Sequence, residues 1–469
     1  MATLVFVHGW SVTSTATYGA LPATLGQRLP TVDTRHVFLS EYVTFIDTVT
    51  MDDLVRAFDH ALRRLGLDGP TFDCIAHSTG GPVVLAWLQA RRAQPARHAT
   101  LKLGHLVMLA PASFGSALAQ LGKGALGRVK AWWNGVQPGR RILDWLELGS
   151  AESLAQNLAH IHGPDLSAMG TYVFVLTGDR PDRTLYDHIN AYTGEDGSDG
   201  VVRIAAANLN ARHAVMTQGT DGTLAVQAKR APRTAFKLIA NAAHSGDRGI
   251  MTAAAEATVA AILRCLAIAD GRTYAALCDA FARENLLRDT DKVELEPAGP
   301  FPSRVHIHDP RSMLVVRLRD DRGEALDATQ FMLTAGVAAN EDYLPSGFML
   351  DRQANSLATG VITLFLDHAV LAGDPAVPDP RNPRDTLRAA IEPRRPYGAK
   401  IVPADREGLV HHNIAASLAG DDLLDLIGPH ETTVLDVLLS RKVHEGVFRF
   451  ITRLAPTDFR SPVPGKEIR

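Results

Sequence analysis

At 469 residues, 46% hydrophobic and 21% charged, the chain is too long for one ordinary core and too apolar for a disordered or fibrous protein, so two domains are expected. Its 48 Lys+Arg and 51 Asp+Glu are mixed along the chain for a net charge of -3, which leaves no electrostatic footprint for nucleic acid. The three cysteines, Cys74, Cys265 and Cys278, fit no metal-ligand spacing, and reduced thiols are a simpler expectation than a Cys265–Cys278 bridge.

Thr3–Val7 reads as a core strand beginning almost at Met1, with no basic segment or small-residue cleavage site before it. No uninterrupted apolar stretch reaches membrane-spanning length. A cytoplasmic location is expected, with any export by a route that needs no signal peptide. A second strand follows at His36–Tyr42, then a helix from about Met51 to Leu65 whose Leu54, Val55, Phe58, Ala61, Leu62 and Leu65 recur at helical spacing. Thr50 with Asp53 reads as its capping box and Gly66 as its stop. Thr71–Ala76 is a short apolar strand in which Cys74 reads as a small buried hydrophobe. After His77-Ser78-Thr79-Gly80-Gly81-Pro82 comes the helix Val83–Arg91, then a strand over Leu101–Leu109. Tyr172–Thr177 and Thr234–Ala240 are the last clear parallel strands. Strands alternating with helices in this way predict a mostly parallel sheet covered on both faces.

Between Pro111 and Tyr172, residues of about 114–165 read as helices inserted above the sheet. Within them Leu121–Trp133 joins apolar residues, the cations Lys123, Arg128 and Lys130, and paired indoles, Trp132 and Trp133. Such a stretch suits transient contact with a lipid–water interface, or equally the packing of a cap on its own core. After about residue 290 short alternating runs take over: Met313–Leu318, Gln330–Thr334, Val361–Leu366, Leu387–Ile391, Val434–Leu439 and Val447–Ile451. Loops such as Gly373–Pro383 separate them, the pattern of an antiparallel sandwich. The expected division is 1–289 and 290–469.

The chemistry concentrates at Ala76-His77-Ser78-Thr79-Gly80, between an apolar strand and a helix. A nucleophilic serine on a strand-to-helix turn needs small residues two positions to either side, and Ala76 and Gly80 meet that need. Pro82 suits a first helical turn, where no backbone donor is required. Alternatively, Ser78 simply caps the helix. His8-Gly9-Trp10 directly follows the first strand, and an acidic loop Gly197-Ser198-Asp199-Gly200-Val201-Val202 precedes the last one. His244 lies a few residues past that last strand.

Taken together, His8-Gly9-Trp10, Ala76–Gly80, Ser198–Val202 and His244 make residues 1 to about 270 resemble the lipase/esterase branch of the α/β-hydrolases, phospholipase-like members included. Ala76 departs from the usual first Gly of G-x-S-x-G. The resemblance implies an α/β-hydrolase fold with an inserted helical lid, followed here by a C-terminal β-sandwich-like domain of unknown role. It implies Ser78 as nucleophile, His244 as general base and Asp199 as triad acid, with the backbone N–H groups of Trp10 and Thr79 as oxyanion hole. Rivals for the histidine are His188, His213, His411 and His412; for the acid they are Asp179, Asp187 and Asp196. No cofactor or metal is called for, although a structural Ca²⁺ near Glu195, Asp196 or Asp199 is conceivable. The expected partner is a small-molecule or lipid ester, of lysophospholipid-like type, cleaved through an acyl-enzyme. An acyltransferase using the same residues and a non-catalytic binding module are the alternatives, and nothing in the pattern sets an oligomeric state.

Overall fold

The computed structural model describes residues 2–9, 18–39, 47–67, 71–92, 102–120, 139–180, 195–219, 223–246, 248–252, 255–298, 301–326, 329–402, 410–412, 416–418 and 422–443. The strands before residue 290 are β1 (Ala2–His8), β2 (Val32–Phe38), β3 (Thr71–His77), β4 (Lys102–Leu109), β5 (Tyr172–Gly178), β6 (Arg212–Gln218), β7 (Thr223–Arg230) and β8 (Ala235–Ile239). Six of them form a sheet in the order β2-β1-β3-β4-β5-β8, and every neighbouring pair in it is parallel. This is the parallel α/β sheet that the alternation of elements led us to expect. The second strand starts earlier than its apolar run, at Val32, because pairing with β1 extends it through Asp33–Arg35.

Side chains alternate between the faces of this sheet. Leu4, Phe6, Ile75, Val107, Phe174 and Leu176 pack with Ile262 and Phe281 of helices Ala255–Leu266 and Gly271–Thr290. On the other face Val5, Val7, Cys74, Met108 and Val175 pack with helices Met51–Arg64 and Gly80–Arg92. The first of these helices starts at a capping box in which Thr50 N–H donates to Asp53 at 3.0 Å and Asp53 N–H to Thr50 at 3.4 Å. Gly66, at φ +70, follows it, in the left-handed conformation expected of a glycine stop. Phe58 is wholly buried on its inner face and meets Trp87 edge-on, with ring centroids 5.4 Å apart. Cys74, Cys265 and Cys278 are all buried free thiols.

The later strands are β9 (Val293–Ala298), β10 (Phe301–Ile307), β11 (Arg311–Asp320), β12 (Gln330–Ala335), β13 (Met349–Ala354), β14 (Val361–Asp367), β15 (Val377–Asp379), β16 (Asn382–Arg388), β17 (Tyr397–Val402), β18 (Val410–His412), β19 (Ala416–Leu418), β20 (Thr432–Leu439) and β21 (Arg441–Val443). A nine-stranded sheet runs β12-β17-β19-β7-β6-β20-β11-β14-β13. Its strands do not all come from beyond residue 290, since the hairpin β6–β7 supplies two. Nor is the pairing purely antiparallel: β20 is parallel to both β11 and β6, and β19 is parallel to β7. β20, late in the chain, lies between β6 and β11 rather than beside its sequence neighbours. The run at Leu387–Ile391 is strand only to Arg388, and Val447–Ile451 lies outside the described residues.

The two sheets share a core. Met313, Val315, Val361 and Val434 of the nine-stranded sheet belong to the same buried cluster as Val5, Met108 and the segment Val201–Leu209. Its alternate residues Leu314, Val316, Leu364 and Val437 pack instead with Phe331, Tyr397 and Ile401 in a cluster of their own. Among the described residues no helix is long and apolar enough to cross a membrane.

Candidate active site

Ser78 follows the last residue of β3 and precedes the helix that begins at Gly80. Its φ of +53 puts it in the left-handed region, which a residue with a Cβ enters only at a cost of about 1–2 kcal/mol. Such strain persists only where neighbours enforce it. Here Ser78 N–H donates to Leu109 O at 3.0 Å and Gly81 N–H to Ser78 O at 3.2 Å. The small residues are required sterically. A Cβ on Gly80 would lie 3.1 Å from Val7 O, and one on Gly81 would lie 2.9 Å from Pro111 and 3.0 Å from the Met108 sulfur. Ala76, wholly buried, fills the position of the missing glycine without opening the turn.

Three side chains meet at this turn. His244 Nε2 lies 3.1 Å from Ser78 Oγ, and His244 Nδ1 lies 2.8 Å from Asp199 Oδ2. All three are buried, Asp199 completely. The other carboxylate oxygen of Asp199 accepts Val201 N–H at 3.0 Å and Val202 N–H at 2.8 Å, while its carbonyl accepts His244 N–H at 2.9 Å. Gly200, at φ +93, makes the turn that brings those amides round. Asp199 Oδ2 accepts the hydrogen bond from Nδ1–H, so the Nε2 lone pair faces the Ser78 hydroxyl.

Thr79 is wholly buried at the start of the helix, and Gly9 lies against the turn, a Cβ there falling 3.7 Å from Ser78 Cβ and 3.6 Å from Thr79 Oγ1. Trp10, the other expected oxyanion donor, lies outside the described residues. So do Trp132 and Trp133, Asp187 and His188, and the side chains of His411 and His412. Trp145, the third indole of the inserted segment, is buried among Ile142, Leu146 and Leu154, so it packs the core.

The rivals among the described residues, Asp179, His213 and Asp196, have partners elsewhere. Asp179 accepts Asn241 N–H at 2.7 Å and Arg288 Nε at 2.8 Å. His213 lies between Asp436, at 2.9 Å, and His162, at 2.7 Å. Asp196 pairs with His308 at 3.3 Å. No group of three or more His, Cys, Asp or Glu is arranged to hold a metal among the described residues.

One neighbour, His77, escaped sequence reasoning as an individual actor, while His8 is expected as a scaffolding residue rather than a proton carrier. His77 Nε2 lies 3.2 Å from the carbonyl of His244, and the two rings are 4.8 Å apart. Burial, then the nearby His244, holds His77 well below the ordinary imidazole range, so it stays neutral and donates to that carbonyl. His8, also buried, bonds His36 at 3.1 Å, and burial followed by His36 lowers it to about 3. His77 lies inside a motif read for its backbone, which hid its side chain's role.

No family model matches the chain, and no curated protein does. Among solved structures, phospholipase PlaB from Legionella pneumophila in complex with thio-NAD is 35% identical, with a TM-score of 0.83, covering 100% of this chain and 100% of that one. A second structure of phospholipase PlaB from Legionella pneumophila is 35% identical at a TM-score of 0.84, covering 100% of this chain and 99% of that one. The mature form of Bacillus licheniformis lipase BlEst2 is 19% identical over 44% of this chain and 79% of its own, with a TM-score of 0.32.

Proposed function

The chain belongs to the family of the Legionella pneumophila phospholipase PlaB, within the lipase/esterase branch of the α/β-hydrolases, and from that premise we propose that it hydrolyses lipid esters, of phospholipid or lysophospholipid type, with Ser78 as nucleophile. The observation that carries this reading is the unbroken pair of hydrogen bonds from Ser78 Oγ through His244 to Asp199, at 3.1 and 2.8 Å, on a turn held at positive φ. A serine that only capped the helix would have no need of a buried imidazole and carboxylate behind it.

Each group has one task. His244 Nε2 takes the hydroxyl proton as Ser78 Oγ bonds to the ester carbon. Asp199 holds the ring and stabilises the imidazolium without taking the proton. The backbone N–H groups of Thr79 and Trp10 are assigned as donors to the oxygen that gains charge, a task in which preorganised donors need no reorientation. His244 then returns the proton to the departing alcohol oxygen, which leaves an acyl group on Ser78. Water attacks that acyl carbon while His244 takes one of its protons. Collapse releases the fatty acid, and the proton goes back to Ser78 Oγ.

The neutral His77 suits this cycle, since a second cation beside His244 would oppose the imidazolium. The test is hydrolysis of p-nitrophenyl esters from acetyl to palmitoyl, and of lysophosphatidylcholine, by wild type and Ser78→Ala. Cleavage lost in the alanine form supports the reading, and equal cleavage by both refutes it. Ester formed to added glycerol in place of free acid would instead favour acyl transfer.

A further inference from the structure

The loop that carries Asp199 is closed at its base. Ser198 and Arg203 form an antiparallel bridge, and Ile204 N–H donates to Gly197 O at 2.9 Å. Asp199 to Val202 thus form a tip that bonds outward to His244 N–H through Asp199 O and to Ser116 Oγ through Val201 O, and that stands on this base. That base rests on the nine-stranded sheet. The Arg203 side chain is 1% exposed. Its Nε and one terminal nitrogen grip the Glu195 carboxylate at 2.9 Å each, and the same nitrogen reaches Asp351 of β13 at 2.5 Å. Its guanidinium lies over the ring of Phe365 in β14, 4.1 Å from the centroid. Gly197 is pressed so closely on Arg311 of β11 that a Cβ would fall 2.4 Å from Arg311 Cγ. Further along, Thr432 of β20 donates to Ala205 O at 2.7 Å, and Asn208 donates to His430 O at 2.8 Å.

A buried ion pair is a poor source of stability, because desolvation offsets its attraction and apolar side chains of equal volume often do as well. What a forked guanidinium supplies is angle, since two parallel bonds and a stacked ring admit one orientation. We propose that Arg203, locked between Glu195 and Asp351, is a positioning residue for Asp199, and that the β13–β14 hairpin of the C-terminal sheet thereby aims the triad. The proposal rests on Asp199 being the acid of the triad. The hairpin reaches the inserted segment as well: Glu147, 1% exposed, accepts Ser356 N–H at 2.8 Å and its hydroxyl at 2.7 Å, and Asn355 donates to Leu148 O at 3.0 Å. The later strands therefore hold both the base of the Asp199 loop and the inserted segment.

The test uses the full-length protein and p-nitrophenyl butyrate. Asp351→Asn keeps the shape and removes the charge; Arg203→Lys keeps the charge and removes the fork. Misplacing a catalytic group by an ångström costs on the order of 100-fold, so both variants should lose about 10- to 100-fold in kcat, with KM within about twofold, while melting above the assay temperature. Because Asp351 acts through Asp199, Asp351→Asn should cost nothing further in an Asp199→Asn background. If Arg203→Lys does not fold, Asp351→Asn and its double variant decide. Wild-type kcat in folded Asp351→Asn, or a full additional loss in the double variant, overturns the proposal. Ser78→Ala assayed alongside separates the two failures: an active Ser78→Ala sinks the triad itself, whereas an inactive one beside a wild-type Asp351→Asn sinks only the positioning role.

Discussion

Asp199→Asn changes one atom and should disable the site through a tautomer. One carboxylate oxygen of Asp199 receives two backbone N–H groups, at 3.0 and 2.8 Å, and the other faces His244 Nδ1 at 2.8 Å. An asparagine must turn its oxygen to the two amides, which cannot accept from its NH2. The NH2 then faces Nδ1, which has to present a lone pair, so the ring proton moves to Nε2. There it points at Ser78 Oγ, 3.1 Å away, and His244 no longer has a lone pair for the serine proton. General-base assistance contributes about 10²–10⁴-fold, and a wrong tautomer forfeits the upper part of that range. We expect kcat/KM to fall about 10³- to 10⁴-fold, or about 4–5.5 kcal/mol in the barrier. Stability should change by only about 1 kcal/mol, since the backbone bonds survive. The assay is p-nitrophenyl butyrate hydrolysis beside a thermal melt, with Asp179→Asn as the companion. A folded Asp199→Asn enzyme within about tenfold of wild type would refute the tautomer reasoning, as would Asp179→Asn proving the dead variant instead.

Two further outcomes follow from the packing and the charges. Gly178→Ala would put a Cβ 2.0 Å from the carbonyl oxygen of Ala242, backbone that leads directly to His244. It should lower stability by about 3 kcal/mol, the upper end of overpacking costs, and a melting temperature unchanged from wild type would contradict the contact. The second concerns pH. His8 is lowered from 6.5 to about 3, and His160 from 6.5 to about 4, by burial first and by a neighbouring cation or imidazole second. Between those values and 6.5 the unfolded chain binds protons that the folded chain refuses, so stability is full above about 6.5 and falls as the pH drops through that window. At pH 5 His8 alone accounts for about 2 kcal/mol. The loss in melting temperature from pH 7 to pH 5 should shrink in His8→Asn, and an unchanged loss would contradict the assignment.

The parallel sheet was legible because its strands are buried on both faces, so Leu4–Val7 and Phe174–Leu176 stand out as apolar runs bounded by turn residues. The elbow was legible because sterics impose composition: a Cβ at Gly80 or Gly81 would crowd Val7, Met108 and Pro111. The loop of Asp199 was singled out through the resemblance of Ser198–Val202 to the acid-bearing segment of lipases, and Gly200 there stands at positive φ. What stayed hidden depends on contacts between distant segments. Nothing local in Asp351 announces a bond to Arg203, 148 residues earlier. Likewise β6 and β7, amphipathic and short, carry no sign that β20, more than 200 residues later, will pair with β6. Strand direction was hidden for the same reason, since parallel and antiparallel pairing leave similar side-chain patterns.

The central claim, that Ser78 is the nucleophile, is tested most directly by its covalent capture. A fluorophosphonate should label wild type once, on the peptide containing Ser78, with ester hydrolysis lost in proportion to labelling. Ser78→Ala should neither label nor hydrolyse. Label on another residue, or hydrolysis surviving in Ser78→Ala, would contradict the account.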